Sequence, residues 1–231
     1  MGQTRFALYF TPAPNSPLAR FGAAILGYDC DAGAPVPQAS LGGIAPAVAA
    51  RAAAEPARYG FHGTLMAPFE LAPGRNLGDL TATLEAFAAR RAPVPLGRLK
   101  VDHIGAFTAL VPAGSQDGVG ALAGDCLAAF DAFRAPLDPR DRARRHAAGL
   151  SPRQRALLER WGYPYVLEEF RFHMTLTGRL PADERARFLT ALAGAFAPLA
   201  DAPVDIDAVS LLRQDDRAGH FRVIAREKLK G

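Results

Sequence analysis

The pentapeptide Phe-His-x-Thr-Leu occurs twice in this chain, as Phe61-His62-Gly63-Thr64-Leu65 and as Phe172-His173-Met174-Thr175-Leu176. Side chains of an extended strand alternate between its two faces. His62 and Thr64 therefore share one face, with Phe61, Gly63 and Leu65 on the other, and the second copy repeats the arrangement with His173 and Thr175. Each copy sets an imidazole beside a hydroxyl and backs the pair with apolar anchors. Imidazole changes charge near neutral pH, so two of them can give and take protons within one reaction. The Thr64 and Thr175 hydroxyls can donate to anionic oxygens. Facing strands of this kind hold the equipment for breaking a phosphodiester without a metal. A lone His-x-Thr is a weak signal, since Thr is common in strands for its β-branching alone. Two matched copies among five histidines are a strong one.

Steady spacing surrounds the two motifs. The pattern predicts a His-bearing strand over 59–71, a helix over 80–91 and apolar strands over 96–104 and 106–112. A second unit follows, with a His-bearing strand over 170–180, a helix over 183–196 and strands over 204–213 and 219–229. The two His lie 111 positions apart, and Phe107 and Phe221 lie 114 apart. Such an offset predicts an internal duplication. The expected fold is α+β, a single bilobal domain over 1–231. Its units span about 59–112 and 170–229, each an antiparallel sheet with flanking helices around a central cleft. Ahead of them, 6–10 reads as a strand, and 16–27 as a helix with Ser16 as N-cap, Pro17 next and Gly27 beyond its end. Ala-rich 44–55, 117–133 and 151–161 read as further helices.

Composition narrows the function classes. The chain has 231 residues, 49% hydrophobic and 22% charged, with a net charge of +4. That suits a folded globular protein with an anionic ligand, and falls short of a nucleic-acid-coating protein. Eight arginines fall between Arg134 and Arg160, against Asp138, Asp141 and Glu159. Cys30 and Cys126 form no close pair, which speaks against a disulfide framework or a zinc cluster. The first residues lack a secretory pattern, and no apolar run approaches the length of a membrane span. The expectation is a cytoplasmic protein with no membrane partner.

The strings Arg58-Tyr-Gly-Phe-His-Gly-Thr-Leu-Met-Ala-Pro-Phe69 and Trp161-Gly-Tyr-Pro-Tyr-Val-Leu-Glu-Glu-Phe-Arg-Phe-His-Met-Thr-Leu-Thr-Gly-Arg-Leu180 resemble the 2H phosphoesterase superfamily, which includes RNA-ligase-like cyclic phosphodiesterases. Within it they resemble a branch of phosphonate-metabolism proteins found beside carbon–phosphorus lyase genes (DUF1045-like). The resemblance implies a hydrolase that opens a small cyclic phosphate, such as a phosphoribosyl 1,2-cyclic phosphate, without a metal or other cofactor. His62 and His173 would be its catalytic pair, and Thr64 and Thr175 its phosphate-binding hydroxyls. Gly63, where that pattern has an apolar residue, is a mild departure on the packing face.

Four further residues are candidates for substrate contact. Arg58 and Arg171 fall on the faces of His62 and His173 if the strands extend that far back, and either could fork onto a phosphate. Tyr59 and Tyr165 could stack on a ligand, with core packing the blander expectation for both and for Tyr163. Thr177 continues the His173 face and reads as structural. His103, His146 and His220 read as surface residues. Two other functions compete. An RNA-processing 2′,3′-cyclic phosphodiesterase predicts a basic, aromatic-lined groove. A non-catalytic nucleotide- or phosphate-binding module would have no need of two imidazoles.

Overall fold

The computed structural model describes residues 4–147 and 149–231. Strand β1 (Arg5–Phe10) is an apolar run with five of six residues buried, as a strand covered on both faces requires. Helix α1 (Pro17–Leu26) starts where the Ser16 hydroxyl accepts the Ala19 N–H at 3.1 Å, and it stops at Gly27. A small hairpin of β2 (Tyr28–Asp29) and β3 (Ala34–Pro35) leads to α2 (Pro46–Ala57). Then come β4 (Gly63–Phe69) with the first motif, α3 (Leu77–Ala88), β5 (Val94–Gly97), β6 (Leu99–Ile104) and β7 (Phe107–Pro112). Helices α4 (Asp117–Phe130), α5 (Pro139–His146) and α6 (Pro152–Trp161) follow, the last opened by a Ser151–Gln154 capping box. The chain closes with β8 (Met174–Thr175), α7 (Ala182–Phe196), β9 (Val204–Ile206), β10 (Ala208–Gln214) and β11 (Arg222–Lys228).

The result is a mixed α/β fold with antiparallel sheets and seven α-helices among the described residues. The main sheet runs β11-β10-β1-β4-β8-β7-β6, with every neighbouring pair antiparallel. Helix α4 packs on β4, α7 on β6 and β7, and α3 on β10 and β11. Phe10, Phe130, Phe172, Met174, Phe188 and Phe221 are almost wholly buried in the core between these layers. Among the described residues, no helix is long and apolar enough to cross a membrane.

Two features differ from expectation. The motif strands do not belong to separate sheets; β8 bonds to β4 on one side and β7 on the other, so both units share one sheet. The second motif strand is also far shorter than 170–180. Its ladder turns irregular at both ends, with the Leu176 and Thr177 N–H groups both donating to the Thr108 carbonyl at 2.9 and 3.1 Å. The Phe172 N–H is taken by the Gln116 side-chain oxygen at 2.7 Å, and the Thr177 hydroxyl accepts the Thr108 N–H at 3.0 Å. Backbone groups so satisfied need no strand partner.

Candidate two-histidine site

Gly63 pairs with Met174 across the β4–β8 ladder. Continuing that antiparallel register by one residue each way sets His62 opposite Thr175 and Thr64 opposite His173. All four side chains then share one face, because they alternate with Gly63 and Met174. Opposite residues stand about 5 Å apart at Cβ and diagonal ones about 7–8 Å, so the two imidazoles lie on a diagonal with a hydroxyl beside each. The opposite face holds the anchors: Phe61, Phe172, Met174 and Leu176 are buried. Gly63 is no neutral departure there. A Cβ at this position would sit 2.4 Å from the Phe172 ring, so the absence of a side chain lets the two strands close.

Both imidazoles are held by the same device. The His62 Nδ1–H donates to the Gly60 carbonyl at 2.9 Å, and the His173 Nδ1–H donates to the Arg171 carbonyl at 2.8 Å. In each case the acceptor lies two residues back. A carbonyl can only accept, so each neutral ring carries its proton on Nδ1 and presents a lone pair at Nε2. The His62 Nε2 accepts from the Thr64 hydroxyl at 3.2 Å. Gly60 turns its carbonyl into place with φ +75° and lies against Cys30, where a Cβ would meet the Cys30 Cβ at 2.4 Å.

The surroundings decide protonation. Tyr9, wholly buried on β1, stacks on the His62 ring with centroids 3.7 Å apart and planes at 18°. Burial under that ring pushes the His62 pKa down to about 4, against the Gly60 bond, and the charge of His173 lowers it further. Burial also lowers the His173 pKa, opposed by its bond to the Arg171 carbonyl. Phe107 flanks His173 with ring centroids 5.5 Å apart. Both imidazoles are thus neutral proton acceptors at pH 7 when no anion is near.

A cavity of about 280 Å³ opens on this face, lined by His62, Thr175, Tyr59, Phe107, Glu55 and Arg179 among others. Tyr59, a sequence candidate, stands with its ring 6.3 Å from that of His62. The remaining three candidates are placed elsewhere. Arg58 turns away from the cavity and donates to the Arg217 carbonyl. The Arg171 side chain is exposed, and the residue contributes only its carbonyl to His173. Tyr165 is 46% exposed at the surface, edge-on to Tyr163, which corrects the core expectation for it. Thr177 is buried and occupied by the Thr108 N–H, in keeping with a structural role. His220 is exposed, His103 contacts the Thr108 hydroxyl at 3.3 Å, and His146 pairs with Glu159 at 2.8 Å.

Sequence reasoning missed Tyr9, Glu55 and Arg179. Arg179 carried a signal, since it continues the alternation His173, Thr175, Thr177. Tyr9 and Glu55 carried none, because they arrive from β1 and α2 through the tertiary fold. Among the described residues, no three of His, Cys, Asp and Glu converge as metal ligands.

Fold and site together define an antiparallel α/β protein with two matched imidazoles on one sheet face. Residues 64–222 match a protein family described as "Protein of unknown function (DUF1045)", and the chain belongs to that family. It is 42% identical over 216 residues to a Janthinobacterium sp. (strain Marseille) protein named ribose 1,5-bisphosphate phosphokinase PhnN, with 92% of this chain and 48% of that protein aligned. A Laribacter hongkongensis (strain HLHK9) protein of the same name is 38% identical over 219 residues, covering 95% of this chain and 50% of its own length. The chain thus spans about half the length of the curated relatives it matches. Among solved structures, TT0787 of Thermus thermophilus aligns over 98% of both chains at 18% identity with a TM-score of 0.47. The curated names correct one expectation: both relatives are called a kinase, which conflicts with the hydrolase that the motif resemblance implied.

Proposed function

We propose that this chain holds a small phosphorylated ribose at the two-histidine face and moves protons at its phosphate, within phosphonate metabolism. Membership of the 2H superfamily is part of the same reading. So is the view that the His62 and His173 units are pseudosymmetric halves of one site within a single domain. One observation carries the proposal: the matched Nδ1–H bonds to carbonyls two residues back, which leave each Nε2 as a lone pair, that of His62 beside the Thr64 hydroxyl. Structural histidines have no reason to share such a device.

The chemistry follows from the protonation states. A bound phosphate brings negative charge within hydrogen-bond reach of both rings and raises both pKa values. His62, whose free value is about 4, stays neutral longest and takes the proton of an oxygen nucleophile approaching phosphorus. His173, as imidazolium, gives its Nε2 proton to the oxygen that leaves as its bond to phosphorus breaks. Thr64 and Thr175 donate to the non-bridging oxygens, where charge accumulates. Tyr59 and Phe107 wall the sugar, and Arg179, at the rim, offers a fork for an anionic group. Imidazoles and hydroxyls, with no third ligand converging among the described residues, suit proton transfer better than metal ligation. The kinase names of the relatives supply the substrate class, a phosphorylated ribose. Their activity as whole proteins is not carried over to this half-length chain.

The test is ³¹P NMR of ribose 1-phosphate and ribose 1,5-bisphosphate with the protein, with and without magnesium ATP. A protein-dependent change at phosphorus that disappears in both His62→Ala and His173→Ala is expected. Turnover equal to wild type in either variant, or binding of neither ribose phosphate, would overturn the reading.

A further inference from the structure

Strand β4 continues past the two-histidine site. Its register against β1 shifts twice, with Tyr9 opposite Thr64, Leu8 opposite Met66 and Phe6 opposite Phe69, so the next step sets Glu70 opposite Arg5, which alternates with Tyr9 on one face of β1. Arg5 and Glu70 line a second, smaller cavity of about 50 Å³, closed over by α5 and by Tyr163. At roughly 10–15 Å³ per enclosed water, that is room for about four water-sized groups, the size of one phosphate. Five arginines and three carboxylates line it.

Four of those arginines are already engaged. Arg5 bonds to Gln214 and Arg134 pairs with Asp131 at 2.8 Å. Arg217 bridges Glu70 at 2.9 Å and Asp141 at 2.7 Å, while Arg144 takes the other Asp141 oxygen at 2.9 Å. Arg145 differs. It makes no hydrogen bond or ion pair among the described residues, although its Nε is buried without a partner. Its guanidinium lies 5.2 Å from the Tyr163 ring centroid. Desolvation lowers its pKa, opposed by Tyr163 and Asp141. A half-buried cation whose neighbouring carboxylate is already shared by two other arginines is stabilised when an anion completes it.

We propose that Arg145 is the anchor of a second phosphate subsite, so that the site selects a ribose carrying two phosphates over one carrying a single phosphate. The first phosphate sits between His62 and His173, and the second reaches along β4 into the arginine-lined cavity, where the Arg145 fork meets it. Arg217 and Arg144 keep Asp141 neutralised, so the carboxylate does not repel the incoming anion. Specificity of this kind sets substrate choice without touching the reacting phosphorus. The inference rests on the two-histidine reading above.

Calorimetric titration of the full chain with inorganic phosphate, ribose 1-phosphate and ribose 1,5-bisphosphate tests it. Wild type should prefer the bisphosphate over the monophosphate by about tenfold to a hundredfold, the effect of one charge-assisted contact. Arg145→Met should bring the ratio near one. Thr64→Val should weaken both sugars by a similar factor and leave the ratio standing. Helix α5 buries no residue, so the fold should survive the change. Arg145→Lys, which keeps the charge and loses the fork, serves as a second variant and should show a reduced ratio. A bisphosphate preference that survives in Arg145→Met, or is absent in wild type, overturns the second subsite and leaves the two-histidine reading intact. Binding of neither ribose phosphate overturns both.

Discussion

Tyr9 lies flat on the His62 imidazole, ring centroids 3.7 Å apart, and so removes one face of that ring from water. The contact explains why a histidine in an open cavity is also a poorly hydrated one. The stack adds about 0.5–1.5 kcal/mol beyond area burial and fixes the ring plane. With Nδ1 tied to Gly60, the imidazole presents its Nε2 edge, where the Thr64 hydroxyl sits at 3.2 Å.

Stability should follow the His62 titration. Its folded pKa, about 4, lies below the unfolded value of 6.5. The unfolded chain therefore takes up the proton first. The contribution is complete above about pH 6.5 and is lost as pH falls from there to 4, amounting to at most about 3 kcal/mol. Urea unfolding at pH 7.5, 5.5 and 4 should show this decline, and His62→Gln should flatten it. An unchanged slope in the variant would place the titration elsewhere.

Gly63→Ala should destabilise the protein, because the added Cβ meets the Phe172 ring at 2.4 Å. Overpacking of this kind costs about 1–3 kcal/mol. Phe172→Leu in the same chain should recover part of the loss, giving a coupling that thermal or urea unfolding of the double-mutant cycle would measure. Additive losses would mean that the two residues do not share the clash.

The paired motif was legible because its signal is local: period-two alternation places His and Thr on one face whatever surrounds them. Helix ends at Ser16 and Gly27 were legible for the same reason, through capping chemistry confined to a few residues. What the sequence hid depends on contacts between distant segments. Strand β8 shrank because the Gln116 side chain takes the Phe172 N–H at one end and the Thr108 carbonyl takes two successive N–H groups at the other, and Arg58 left the site for the Arg217 carbonyl. Tyr9 entered from a strand that reads as ordinary core. The single sheet arises because β8 has partners on both sides, a pairing that no local pattern encodes.

Thr177→Val and Thr175→Val should separate structure from ligand contact. The Thr177 hydroxyl is the buried acceptor for the Thr108 N–H, and its removal should cost about 1–3 kcal/mol of stability. Thr175 is half-buried and faces the cavity, so Thr175→Val should leave the unfolding midpoint nearly unchanged and weaken ribose phosphate binding. Urea unfolding paired with calorimetry distinguishes them, and a reversal of the two patterns would refute the assignment.

The most direct test of the central claim is an NMR titration of the His62 and His173 side-chain nitrogens against pH, with and without ribose 1-phosphate. Two imidazoles flanking one phosphate must both feel its charge. The account predicts that both pKa values rise together on addition of the ligand, His62 from about 4, and that each stays tied to the Nδ1–H tautomer in the free protein. A rise at only one histidine, or at neither, would contradict it.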